Sequence, residues 1–308
     1  MRWRRNRGAG LAESVAPAEA PAAGPSRATE FFFRNDGADP GRVVVVHHLE
    51  KTAGTSLREM VRENLPASEL ERGPDLLSLR YVPDEALRWY REWYGSLDEE
   101  RRSRLCCVMS HTGGYLVPWL DRPVEALVLV REPVGRVLSF YFHKRRNALR
   151  RRGPEASFNL LERVYETLGR DRPPNAWRQF FNWQSRSLLS LFHDVSDFPI
   201  SAEPSPDADL LRARLRTIVD EVFFVGVQDR FEQYVALLGR RYGWSAIVRH
   251  HKANPHPADA HVVSPEMIET IRAYNWLDAE LYDLCREAQE RREAELATAV
   301  AQGQRLAG

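Results

Sequence analysis

The chain has 308 residues, 43% of them apolar, and 44 Lys and Arg against 43 Asp and Glu leave a formal net charge of +1. That length suits one large α/β domain or two small ones, and the balanced charge gives global electrostatics no hold on nucleic acid. Three cysteines are too few for a disulfide framework, and no run of ~18 apolar residues reads as a membrane span.

In chain order, residues 1–38 open with Arg2, Arg4, Arg5 and Arg7 and continue in Ala, Pro, Gly and Glu. This composition predicts disorder, and the basic start lacks the apolar core of a signal peptide. Phe31-Phe32-Phe33 interrupts it and is expected to tuck against the edge of a single folded domain spanning 39–298, with a flexible tail over 299–308. The first strand is predicted at about 42–48 and the first helix at about 54–65. Pro66, Gly73, Pro74 and Pro83 mark 66–83 as loop. A helix near 84–94 carries Trp89, Tyr90, Trp93 and Tyr94 at helical spacing, suited to core packing or to stacking on a sugar. Buried-type strands follow at 105–109, around Cys106 and Cys107, and at 125–130. Helix is expected over 156–195 with a break at Pro173-Pro174, then a proline-rich linker, a helix near 207–219, a strand at 222–227 and a helix at 229–241. A His/Pro-rich loop at 249–265 and one long helix over 264–298 close the chain.

Apolar strands without alternation, separated by helices, indicate a parallel sheet covered on both faces. Ligands of such sheets bind beyond the carboxyl ends of the strands. Lys51, His111 and Arg131 each follow the end of a predicted strand, so the topology gathers them at one rim.

The segment Val43-Val44-Val45-Val46-His47-His48-Leu49-Glu50-Lys51-Thr52-Ala53-Gly54-Thr55-Ser56 suits an anion. Main-chain N–H groups at a helix start point outward and the helix dipole favours negative charge there. Gly54 permits close approach of the backbone, Lys51 adds a point charge, and Thr52, Thr55 and Ser56 add hydroxyls. A second strand–turn–helix at 125–146 has Arg131 at the strand exit, Pro133 in the first helical turn and Ser139 two turns in. Lys144, Arg145, Arg146, Arg150, Arg151 and Arg152 form a basic cluster beyond it. That cluster is either an attractor of an acidic ligand or a solvated helix end.

The first loop resembles the 5′-phosphosulfate loop of the sulfotransferases that use 3′-phosphoadenylyl sulfate (PAPS). It is nearest to the branch with heparan sulfate 2-O-sulfotransferase and other carbohydrate sulfotransferases, whose pattern runs close to His-Ile-Pro-Lys-Thr-Ala/Gly-Gly-Thr-Ser. The chief departure is Glu50 in place of proline, a carboxylate expected to point away from the anion. The resemblance implies a P-loop-like three-layer α/β/α domain with a central parallel sheet, helical insertions and a C-terminal helix. It implies that Lys51, Thr52, Ala53, Gly54, Thr55 and Ser56 cradle the 5′ end of PAPS and that Arg131 and Ser139 hold its 3′-phosphate. His111, within Ser110-His111-Thr112-Gly113-Gly114, aligns with the family's base, with Lys51 as the catalytic cation. Asn182-Trp183-Gln184-Ser185-Arg186 resembles a segment whose Gln and Arg face the acceptor, which makes Gln184 and Arg186 acceptor-binding candidates. Lys252 and Asn254 occupy the place of a loop that closes over the nucleotide. Asp229, in the segment 225–231, is read as capping the helix that follows.

The expected activity is transfer of a sulfuryl group to a hydroxyl of a carbohydrate, glycolipid or small metabolite. Neither metal nor nucleic acid is required; His250, His251 and His256 lack the spacing of a metal site. The composition and the lack of an anchor suggest a bacterial cytoplasmic enzyme. The alternatives are a P-loop kinase or NTPase, in which the Lys would follow the glycine and not precede it, and a non-catalytic nucleotide- or glycan-binding relative.

Overall fold

The computed structural model describes residues 29–34, 41–65, 69–73, 83–152, 179–191, 201–204, 206–245 and 263–302. Six strands form one sheet: β1 (Glu30–Phe33), β2 (Val43–His47), β3 (Glu69–Arg72), β4 (Leu105–Ser110), β5 (Val124–Val130) and β6 (Phe223–Val227). Their spatial order is β3-β1-β4-β2-β5-β6. The four strands β4, β2, β5 and β6 are mutually parallel. β2 is buried along all five residues and β4 along all six. Both faces of these strands are covered, which is why they read as unbroken apolar runs.

The helices are α1 (Gly54–Asn64), α2 (Pro83–Ser96), α3 (Glu99–Arg104), α4 (Pro133–Arg152), α5 (Trp183–Leu189), α6 (Ala208–Thr217), α7 (Phe231–Tyr242), α8 (Pro265–Tyr274) and α9 (Trp276–Ala301). A strand's side chains alternate between faces. Val44 and Val46 accordingly pack with Leu57 and Val61 of α1, and Leu127 and Leu129 with Tyr234 and Leu238 of α7. On the other face Val43 and Val45 meet α2, and Val128 and Val130 meet α5, α6 and α9. The result is a mixed sheet between two helical layers. Among the described residues, no helix is long and apolar enough to cross a membrane.

Four sequence expectations change. The sheet is not wholly parallel, because β1 runs antiparallel to both β3 and β4. Phe31-Phe32-Phe33 is therefore inside the sheet, not at the domain edge, and the folded domain begins before residue 39. Phe31 stacks on Trp93 with ring centroids 3.7 Å apart, and Glu30, fully buried, forms ion pairs with Arg58 and Arg62 of α1. Residues 66–83, read as loop, contain the edge strand β3. Its Glu69 and Glu71 both bind Arg101, at 2.8 and 2.6 Å, so this edge strand carries charged side chains, which disfavours pairing with a further strand. The aromatic residues of α2 serve the core: Tyr90 and Tyr94 are buried and Trp93 lies on Phe31. The long closing helix breaks at Asn275, and its second half ends at Ala301, not 298. Asn275 leaves helical geometry (φ −121°, ψ 30°), and its side-chain N–H groups donate to the Ile271 and Phe180 carbonyls at 2.8 and 2.9 Å.

Candidate functional site

β4, β2 and β5 are adjacent parallel strands, and the chain leaves β2 towards neighbours on opposite sides. This is the point where α/β sheets open a crevice at the strand ends. Lys51 follows β2, His111 follows β4 and Arg131 follows β5. The structure draws them together through main-chain carbonyls. Arg131 Nη1 donates to the Lys51 carbonyl at 3.4 Å, and His111 Nδ1 lies 2.6 Å from the carbonyl of His48.

The loop between β2 and α1 is held in an uncommon shape. Lys51 (φ 72°) and Ala53 (φ 65°) both adopt the left-handed region, which costs a non-glycine residue roughly 1–2 kcal/mol. The Thr52 hydroxyl donates to the Leu49 carbonyl at 2.9 Å and the residue is buried. Its hydroxyl is therefore engaged in shaping the loop, where the sequence reading had it as a donor to an anion. Thr55 is exposed and Ser56 half-buried in the first turn of α1, and no side chain caps that helix among the described residues. Its first N–H groups lack intrahelical partners, as at any helix start.

Gly54 has a different task from the one read in the sequence. A Cβ there would fall 1.8 Å from Cδ2 of His48, so the glycine makes room for an imidazole, where the sequence reading had a ligand. Gly54→Ala is expected to destabilise the protein by about 1–3 kcal/mol through overpacking. The double variant Gly54→Ala/His48→Ala should recover most of that loss in a denaturant titration, and failure to recover any would refute the assigned clash.

Three histidines line this rim. The rings of His48 and His111 stack with centroids 4.4 Å apart. A carbonyl can only accept, so the contact with His48 O places the proton of neutral His111 on Nδ1 and makes Nε2 the basic nitrogen. Burial holds His48 well below the usual histidine range, and positive charge at His111, Arg58, His47 or Lys51 would lower it further. Its Nδ1 has no hydrogen-bond partner among the described residues. His47 is pushed down to about 3 by burial and His111. Its Nδ1 accepts from the Gly114 N–H at 3.0 Å, so Nε2 carries the proton and faces Ser187 Oγ at 3.3 Å. His47 is buried while His48 and His111 are half-buried, and desolvation makes the His47 and His48 rings weak bases.

At the end of β5, Glu132 caps α4 by accepting from the Val134 and Gly135 N–H groups at 3.1 and 2.6 Å. Arg131 folds over this first turn: a Cβ on Gly135 would lie 3.4 Å from its Nε. Ser139 stands four residues on, on the same helical face, half-buried. Burial pulls the Arg131 guanidinium down from its ordinary value, and the Glu132 and Asp229 charges oppose this. Asp229 does not cap α7, which has no side-chain cap among the described residues; its Oδ2 accepts from the Tyr282 hydroxyl at 2.6 Å. Glu50 accepts from Gln179 Nε2 at 2.6 Å, and the Gln179 carbonyl in turn accepts from buried Arg136.

No protein-family model matches the chain, and no curated relative does. The assignment of roles accordingly rests on geometry and chemistry.

The segment 182–189 departs most from its sequence reading. Gln184 is fully buried, and both ends of its carboxamide are taken by the main chain of Arg131: Oε1 accepts from the Arg131 N–H and Nε2 donates to the Arg131 carbonyl, each at 2.8 Å. Both polar ends are thus engaged within the protein, where the sequence reading had Gln184 facing an acceptor. Arg186 lies half-buried two residues later on α5. Asp278, at the start of α9, was missed by the sequence reading. It accepts from the N–H groups of Gln184 and Ser185 at 3.1 and 2.7 Å, and Asn182 Oδ1 returns the favour by accepting from Leu277 and Asp278 N–H at 2.9 and 3.1 Å. The one local signal was Asn182 before a short helix, a residue that tolerates its left-handed φ of 42°. Lys252, Asn254 and His250, His251 and His256 lie outside the described residues. Among the described residues no group of three His, Cys, Asp or Glu could hold a metal ion.

Proposed function

We propose that this chain is a sulfotransferase that takes the sulfuryl group of PAPS to a hydroxyl of a carbohydrate or glycolipid, on a P-loop-like three-layer domain. One observation carries the reading: the turns bearing Lys51 and Arg131 touch across the ends of adjacent strands, with His111 on the third strand beside them. Two cations and a basic imidazole nitrogen suit a doubly charged nucleotide and a proton-losing acceptor.

The donor supplies an activated sulfuryl group on a phosphate oxygen. Lys51, with the main-chain N–H groups at Ala53, Gly54 and Thr55 and the Ser56 hydroxyl, offsets the charge that develops on the departing phosphate. Arg131 and Ser139 grip the 3′-phosphate; the planar guanidinium can meet two of its oxygens at once. His111 Nε2 takes the proton of the acceptor hydroxyl as that oxygen bonds to sulfur and the sulfur–oxygen bond to the phosphate breaks. Arg186 is assigned to the acceptor side, and the basic cluster of α4 would attract an acidic ligand.

A thermal-shift titration in EDTA tests the reading. The bisphosphate 3′-phosphoadenosine 5′-phosphate at ~100 times its Kd is expected to add about 2.7 kcal/mol of stability, a rise of several degrees in Tm. Stabilisation by ATP with Mg²⁺ and not by the bisphosphate would instead indicate phosphoryl transfer. Mass spectrometry of a host glycan and lipid extract incubated with labelled PAPS would then identify the acceptor by its added SO₃.

A further inference from the structure

Gln184 sits where the sheet ends. β5 pairs with β6 as far as Val130 opposite Val227, and α4 begins at Pro133. Arg131 falls in the gap, where its main-chain N–H and carbonyl lie beyond the β5–β6 ladder. Gln184 supplies both bonds, acting as one residue of an additional strand. A buried planar group with one donor end and one acceptor end is needed here, and a carboxamide offers both. Fixing the Arg131 backbone fixes where its side chain departs, over Gly135 and towards the Lys51 carbonyl.

The clamp is itself clamped. Gln184 is the second residue of α5, and the Asp278 carboxylate holds its N–H while Asn182 holds the first turn of α9. The Asn182 N–H donates to Asn275 Oδ1 at 2.8 Å, which ties the same joint to the break between α8 and α9. Two helix starts therefore cap one another, and Gln184 projects from that joint onto Arg131.

We propose that Gln184 is a positioning residue that aims the Arg131 guanidinium and so sets discrimination in favour of nucleotides that carry a 3′-phosphate. This deepens the sulfotransferase reading and rests on it. Ser139 provides a hydroxyl on the same helical face but no charge, so aim at the 3′ position depends on Arg131.

The test compares the Kd of adenosine 5′-phosphate with that of 3′-phosphoadenosine 5′-phosphate by isothermal titration. The wild-type protein should prefer the bisphosphate by ~10- to 100-fold, the range for hydrogen bonds to charged groups. Gln184→Met, similar in shape without donor or acceptor, should lose most of this preference while binding adenosine 5′-phosphate unchanged. A merely structural role would weaken both ligands alike. Gln184→Glu, which retains an acceptor for the Arg131 N–H, should keep an intermediate preference, and it replaces the Met variant if that fails to fold. In the Arg131→Ala background the Met substitution should have no further effect on the ratio. Full preference retained by folded Gln184→Met or Gln184→Glu, or an additive loss with Arg131→Ala, overturns the positioning role. A wild-type protein that binds neither nucleotide overturns the sulfotransferase reading instead.

Discussion

On the proposed mechanism, replacing His111 with alanine is expected to lower sulfuryl transfer by ~10²–10⁴-fold, the usual contribution of a general base. Binding of 3′-phosphoadenosine 5′-phosphate should stay within about twofold, because the lost interaction acts on the acceptor proton and not on the nucleotide. The reason lies in the tautomer. His111 donates from Nδ1 to the His48 carbonyl, and its ring is stacked on that of His48, so in the neutral ring Nε2 is the nitrogen that carries no proton. His48 is less suited to the task because desolvation holds it well below the usual histidine range, which makes its ring a weak base. His111→Asn separates chemistry from packing: its amide can still donate to the His48 carbonyl but cannot act as a base. Single-turnover transfer from labelled PAPS should fall as far in the asparagine variant as in the alanine variant. Undiminished transfer by either protein would remove His111 from the mechanism.

The largest effect on stability is expected at Asp278. Its carboxylate accepts two N–H bonds from the start of α5 and is electrostatically coupled to the fully buried Arg136. Burial pushes this carboxyl above its usual range, while Arg136 and the two amides pull it back. Asp278→Ala removes the acceptor for two buried N–H groups and a negative charge near a buried cation. Breaking a buried charged arrangement from one side costs about 3–5 kcal/mol. The midpoint of urea unfolding should move accordingly, at nearly constant m-value. A loss below about 1 kcal/mol would mean that water or rearrangement replaces the carboxylate at little cost.

The basic cluster at the end of α4 illustrates where local patterns stop. Lys144 lies over the Phe140 ring, 5.1 Å from its centroid, so part of that charge is spent on packing within the helix. Arg150 and Arg151 are exposed. Both readings of the cluster, acidic-ligand attractor and solvated helix end, thus have members among the same six residues.

Much of the frame was legible in one dimension. The unbroken valines of β2, the apolar run of β5 and the helical spacing in α1 and α7 are local signals, because burial of a whole strand or of one helical stripe leaves a fixed period in the chain. Once strands alternate with helices, the carboxyl ends of the strands share a rim, so the placement of Lys51, His111 and Arg131 after three of them followed from order alone. What each buried polar atom bonds to was not local. The N–H of Arg131 is satisfied from 53 positions away and that of Gln184 from 94 positions away. No period records such a partner; it is chosen by which side chain arrives when the helices pack. The antiparallel recruitment of β1 and β3, the room Gly54 leaves for His48 and the conversion of Gln184 from a ligand contact into a brace for Arg131 were all decided there. Strand pairing and buried hydrogen bonds are settled between segments distant in sequence, and only their arrangement in space says which donor meets which acceptor.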